Sequence, residues 1–165
     1  MPLAPSPYDF TINFQRIKQD KHMSCWYAAA QMVLGSRDIV KSIVFTSTNL
    51  NTLIRYVGNK GLIPKTVTDF ASEVGLSSDQ SVFSSGFSAE NYSTYLKKLG
   101  PLWLAGKFPQ GGHVVVICGV IGDKVMVADP DGSQPFPKWM ALSEVEAVRT
   151  SYKAPLLYRV NGPTR

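Results

Sequence analysis

The scarcest reactive side chains in this chain are two cysteines, Cys25 and Cys118, and two histidines, His22 and His113. Cys25 follows the loop Gln19-Asp20-Lys21-His22-Met23-Ser24 and opens the run Trp26-Tyr27-Ala28-Ala29-Ala30. A thiol in the first turn of a helix meets unpaired N–H groups and the positive end of the helix dipole, which favour the thiolate, the nucleophilic form. Taken alone, Cys25 reads rather as a small packed hydrophobe, because free cysteine is among the most buried residue types. His113 changes the balance. It stands where Gly111-Gly112 meets the apolar run Val114-Val115-Val116-Ile117, and glycines there let a backbone or a substrate come close. Asp129 closes the following strand and precedes Pro130. Gln19, six residues before Cys25, can bring a side-chain amide beside the sulfur, where it and the Cys25 N–H would form an oxyanion hole. His22 reads as an exposed loop residue.

The elements that must position these groups follow from pattern. Ser24 is placed as N-cap of the cysteine helix, with its hydroxyl accepting from helix N–H groups. Trp26, Ala29, Ala30 and Val33 recur at helical spacing and Gly35 ends the run. Before it, Phe10, Ile12 and Phe14 alternate as a short strand. Ser42–Phe45 is read as extended, and Asn49 as the cap of a helix with a Leu50, Leu53, Ile54, Val57 core stripe. Pro64 opens a further helix carrying Val67, Phe70, Ala71 and Val74. Ser77–Gly86 is serine-rich and reads as a surface loop. Ser88 caps a helix bearing Tyr92, Tyr95, Leu96 and Leu99. Strands then dominate: Leu102–Ala105, Val114–Ile121, Lys124–Asp129, Phe136–Leu142 and Leu156–Val160, with one helical turn at Ser143–Val148. Helices first and antiparallel strands second predict an α+β fold, with N-terminal helices packed on a C-terminal sheet.

The hairpin register sets a test. A regular two-residue turn at Gly122-Asp123 pairs Ile121 with Lys124 and faces Asp129 away from His113. Bringing the two together requires a bulge, a three-residue turn, or a strand that ends before Asp129.

Gln19, Cys25-Trp26 at the head of an alanine-rich helix, Gly112-His113 at an apolar strand and Asp129-Pro130 one strand later resemble, in order and spacing, a papain-like cysteine protease. The likeness is to compact bacterial members, both effector-type proteases and double-glycine leader peptidases. It implies Cys25 as nucleophile, His113 as general base and acid, Asp129 as the residue orienting His113, and Gln19 as oxyanion donor. Gly111, Gly112 and Trp26 are expected against the substrate, and no metal or cofactor is expected. The resemblance further implies a protein or peptide substrate, a Gly-Gly cleavage site, and a toxin or effector role with a cognate immunity protein. A cell-wall or side-chain amidase using the same site is the alternative. Cell-wall members more usually carry a histidine as third residue, and no third histidine exists here.

Length and composition bound the rest. The 165 residues predict one domain over 1–165, with 1–18 as an extended, proline-rich lead-in. Apolar content of 44% and charged content of 18% fit a globular chain. The net charge of +5 is scattered rather than gathered into a basic stripe, which argues against nucleic-acid binding. Two cysteines form no disulfide framework, and with the two histidines they lack zinc-ligand spacing. The longest apolar run, Val114–Ile121, is too short to span a membrane. No secretory signal is visible, so a cytoplasmic location or delivery by a dedicated secretion system is expected, with the chain acting as a monomer.

Overall fold

A computed structural model describes residues 4–13, 15–35, 50–79 and 86–159. Its elements, in chain order, are β1 (Phe10–Thr11), α1 (Cys25–Leu34), α2 (Leu50–Val57), a 3₁₀ turn (Pro64–Thr66) running into α3 (Val67–Val74), β2 (Leu76–Asp79), α4 (Ala89–Leu99), β3 (Leu102–Phe108), β4 (Gly111–Ile121), β5 (Lys124–Ala128), β6 (Lys138–Ala141), α5 (Leu142–Ser151) and β7 (Leu156–Arg159). The fold is α+β, around a seven-stranded antiparallel sheet of order β2-β7-β3-β4-β5-β6. β1 pairs with β4 at Gly119 and Val120, continuing the edge that β3 leaves at Ile117.

The sheet is covered on both faces, which the expectation of N-terminal helices on a C-terminal sheet did not include. On one face α1 and α3 bury Trp26, Ala29, Ala30, Val33, Val67 and Phe70 against Trp103, Val114, Val116 and Cys118. On the other, α4 and α5 bury Tyr92, Leu96, Val145 and Val148 against Leu104, Val115, Ile117, Val125 and Val127. α1 is buried along its whole length from Trp26 to Val33, and Gly35 closes it in the left-handed conformation at φ 78°. Glu146 fastens the second layer. Its carboxylate accepts from Tyr92 Oη at 2.6 Å, from the Phe87 N–H at 2.9 Å and from Arg149 Nη2 at 2.7 Å.

Several local expectations fail for tertiary reasons. Ser77 and Ser78 belong to β2, because the free edge of β7 pairs with Leu76–Asp79. Propensity yields there to available ladder partners. On α2, Ile54 and Val57 are 56% and 65% exposed and Leu53 is half-buried, so that part of the stripe read as core faces outward. α5 spans ten residues rather than the one turn read at Ser143–Val148, and its N-cap is Ala141. Strand β1 stops at Thr11; Phe14, Ser42–Phe45 and Asn49 lie outside the described residues. Ser88 caps α4 as expected, in a reciprocal capping box with Asn91.

The β4–β5 hairpin answers the register question. Gly122-Asp123 is a two-residue turn pairing Ile121 with Lys124, and a bulge at Cys118 shifts the ladder between Ile117 and Gly119. Cys118 and Val120 consequently face opposite layers despite their two-residue separation. β5 ends at Ala128, opposite Val116, so Asp129 leaves the strand on the side that His113, Val115 and Ile117 share.

Layer spacing is tightest at Gly106 on β3. A Cβ there would lie 2.3 Å from the Val148 carbonyl oxygen and 2.4 Å from Val148 Cγ1. We expect Gly106→Ala to force β3 and α5 apart and to lower stability by about 1–3 kcal/mol. Urea unfolding checks this, and an unchanged midpoint would show that the layers yield freely.

Candidate active site

α1, the start of β4 and the turn after β5 converge on a cleft of about 1050 Å³. Its wall includes Gln19, Cys25, Gly112, His113, Asp131 and Tyr152, with Leu62, Ile63 and Pro64 opposite. Cys25 is the first residue of α1 and is half-buried. Ser24 precedes it at the N-cap position, but its hydroxyl does not cap the helix. It turns back into the loop, accepting from the Lys21 N–H at 3.1 Å and donating to the Lys21 carbonyl at 3.0 Å and to Asp20 Oδ1 at 3.2 Å. Tyr56 Oη donates to the other Asp20 carboxylate oxygen, so the loop is tied to α2. Among the described residues, the N–H of Cys25 donates to no protein group.

His113 is 8% exposed and Asp129 fully buried. His113 Nε2 donates to Asp129 Oδ1 at 2.6 Å. His113 and Cys25 line the same cleft. Phe108 packs edge-to-face on the imidazole at 5.5 Å and fixes its plane. Burial disfavours the charged ring, but the bonds to Asp129 and Cys25 and their charges outweigh it, raising the His113 pKa to about 9. Asp129 Oδ1 also accepts from the Asp131 N–H at 2.9 Å, while Oδ2 has no hydrogen-bond partner and lies 3.9 Å from Lys138 Nζ.

Cys25, His113 and Asp129 are thus brought together, and Gln19 borders the same space. The Gln19 amide nitrogen donates to the Lys21 carbonyl at 3.0 Å and the His22 carbonyl at 2.9 Å, and its Oε1 is buried without a partner. Gly112 lines the cleft, and a Cβ there would sit 2.5 Å from Tyr152 Oη. Gly111 is not part of the wall; at φ 117° it serves the turn into β4. Trp26 underlies the cleft with no exposed surface, its indole N–H donating to the Lys60 carbonyl at 3.0 Å. It is a floor rather than a contact. His22 is exposed at the rim. Among the described residues no cluster of three or more His, Cys, Asp or Glu could hold a metal ion, and no helix is long and apolar enough to cross a membrane.

Sequence reasoning missed Asp131 and Tyr152 as wall residues and Arg16 behind the Asp129 turn. Arg16 Nη1 donates to the Gln134 carbonyl at 2.6 Å and lies 3.5 Å from those of Asp129 and Asp131. The Pro130-Asp131-Gly132 turn signal was the only local hint, and nothing in the sequence around Arg16 points to a partner more than 110 positions away.

A histidine whose folded pKa is raised stabilises the fold fully below its unfolded value and loses that contribution as pH rises through the folded one. The His113–Asp129 pair therefore contributes most below about pH 6.5, while Asp129 stays ionised, and its share disappears as pH passes through about 9. We expect the stability gap between wild type and Asp129→Asn to close across that window in denaturant titrations. A gap independent of pH from 6 to 10 would contradict the ion pair.

Among curated proteins none matches the chain. A sequence model of the family described as papain-like cysteine protease AvrRpt2 matches residues 6–144, which contain Gln19, Cys25, His113 and Asp129. With most of its length inside that match, the chain belongs to the AvrRpt2 family of papain-like cysteine proteases, hydrolases of the bacterial effector type.

Proposed function

We propose that this protease cleaves peptide bonds in a protein substrate through Cys25, His113 and Asp129. The observation that carries the reading is one imidazole bonded to a fully buried carboxylate and sharing a cleft with a helix-leading thiol. His113 takes the Cys25 proton, or already holds it as an ion pair, and the thiolate attacks the substrate carbonyl carbon. The oxyanion so formed is held by the Cys25 N–H, which among the described residues has no protein partner to give up. Collapse of the tetrahedral intermediate expels the amine, which His113 protonates. Water, deprotonated by His113, then releases the thioester as a carboxylic acid and restores the thiol. Asp129 fixes the ring orientation and stabilises the imidazolium throughout.

Gln19 is the second oxyanion donor in this reading. It reaches that position once one of its bonds to the Lys21 and His22 carbonyls opens, a small rearrangement that substrate can drive. Gly112 borders the scissile bond on the His113 side, and its missing side chain leaves room for Tyr152. A Gly-Gly cleavage site, delivery into a target cell and an immunity partner follow from the resemblance to effector-type and double-glycine proteases. A peptide panel containing and lacking Gly-Gly is the direct trial of the first.

We expect Cys25→Ala to abolish turnover while leaving the unfolding midpoint near wild type. Gln19→Ala should lower turnover roughly 100- to 1,000-fold, as loss of an oxyanion donor does elsewhere. Wild type and Cys25→Ala incubated with a cell lysate and with purified peptidoglycan separate the readings by mass spectrometry. Cysteine-dependent protein fragments support peptidase action on protein, whereas released muropeptides move the substrate to the cell wall. Fragments that persist in Cys25→Ala, or failure of iodoacetamide to label Cys25, would remove the thiol mechanism.

A further inference from the structure

We infer that Arg16 is a positioning residue for this site: it sets the shape of the 129–134 turn and so aims the Asp129 carboxylate at His113. The inference rests on the proposed triad and adds a member that touches none of the reacting atoms.

The Asp129 carboxylate is held by its own turn. Oδ1 accepts from the Asp131 N–H at 2.9 Å, so its direction depends on the path of the chain from 129 to 131. That path brings three carbonyl oxygens, those of Asp129, Asp131 and Gln134, around one point. Carbonyl dipoles aimed at a common centre repel one another, and partly buried ones need a donor. Arg16 Nη1 occupies the centre, at 2.6 Å from the Gln134 oxygen and 3.5 Å from the other two. Bonds from a guanidinium are charge-assisted and stronger than neutral ones. The Phe136 ring, 5.8 Å from the guanidinium carbon, flanks it.

The same segment reaches the nucleophile. Three residues beyond Arg16, the Gln19 N–H donates to the Pro130 carbonyl at 2.8 Å. The strip from Arg16 to Gln19 is therefore bound to the Asp129 turn at one end and runs into the Cys25 loop at the other. Arg16 is the cationic member of that seam whose donors enter the turn.

His113 supplies a readout that a merely structural arginine would not move. Around its ring stand Cys25 from α1, Asp129 and Asp131 from the turn, Tyr152 from the end of α5, His22 at the rim, and Lys138 of β6 behind Asp129. Substitution at Arg16 leaves all of them in the chain and acts on the ring through the turn that carries Asp129 and Asp131.

The experiment is an NMR titration of the imidazole C2–H resonances in Arg16→Gln, Arg16→Lys and Asp129→Asn, beside the pH profile of kcat. Two histidines make assignment direct. In Arg16→Gln the His113 midpoint should fall by at least about one pH unit toward that of Asp129→Asn, with the alkaline limb of kcat following. Turnover should drop about 10-fold or more, with KM little changed. Adding Arg16→Gln to Asp129→Asn should change neither further. A folded Arg16→Gln with the wild-type His113 midpoint and wild-type kcat overturns the inference. If Arg16→Gln does not fold, Arg16→Lys decides: a shorter stem should give a midpoint between wild type and Asp129→Asn, and one equal to wild type again overturns it. Should the chain cleave no peptide at all, the proposed function fails while the titration still judges Arg16.

Discussion

Asp129 is a carboxylate without exposed surface, and much of the architecture near the cleft follows from keeping it there. A buried ion is costly unless it is paired and hydrogen-bonded. Its oxygens are treated unequally. Oδ1 receives the His113 imidazole and the Asp131 N–H, while Oδ2 has only the distant ammonium of Lys138. The partnership is therefore concentrated on the oxygen that faces the ring. One consequence is the elevated His113 pKa, which keeps the ring protonated beside Cys25 at neutral pH.

Reaching this pairing required the sheet to break its own period. β4 would otherwise present His113 on one face and carry its partner strand out of register for Asp129. The extra residue at Cys118 resolves this at the far end of the strand, where β1 rather than β3 occupies the edge. Gly119 beside the bulge also has a packing reason, since a Cβ there would lie 2.9 Å from Thr11 Cγ2 and 3.1 Å from Met126 Cβ. Cys118 itself is buried, and burial raises its thiol pKa to about 12. The second cysteine thus shapes the backbone and stays inert, while the first stands at the cleft.

What could be read in the sequence divides along range of interaction. The Cys25 helix, its glycine stop, the apolar strand behind His113 and the Ser88 cap are local signals, and they hold. That the hairpin must depart from regular pairing was legible because the period of a strand is strict. Which departure, a bulge, a longer turn or a strand ending before Asp129, was not, and the structure shows both a bulge and an early strand end. Features set by distant partners were not legible. Leu76–Asp79 became a strand only because β7 offers an edge, and the Ile54–Val57 side of α2 turned outward although its spacing was that of a core stripe. Trp26 sits beside Cys25 in sequence yet points beneath it, because the helical turn carries consecutive residues about 100° apart.

Ser24 carries the most instructive departure, since its position is that of an N-cap and its hydroxyl is used elsewhere. A capping hydroxyl accepts from N–H groups in the first turn of the helix, which here are the groups closest to the thiol. An oxyanion formed at Cys25 needs donors in that same space. By turning toward Asp20 and Lys21, Ser24 stiffens the loop that Tyr56 anchors from α2, and it leaves the leading end of α1 open. The helix forgoes about 1 kcal/mol of capping stabilisation. Under the proposed mechanism this leaves the N–H groups and dipole of that terminus available to developing negative charge. The tight burial of α1 from Trp26 onward makes that loss tolerable, because packing rather than its cap maintains the helix.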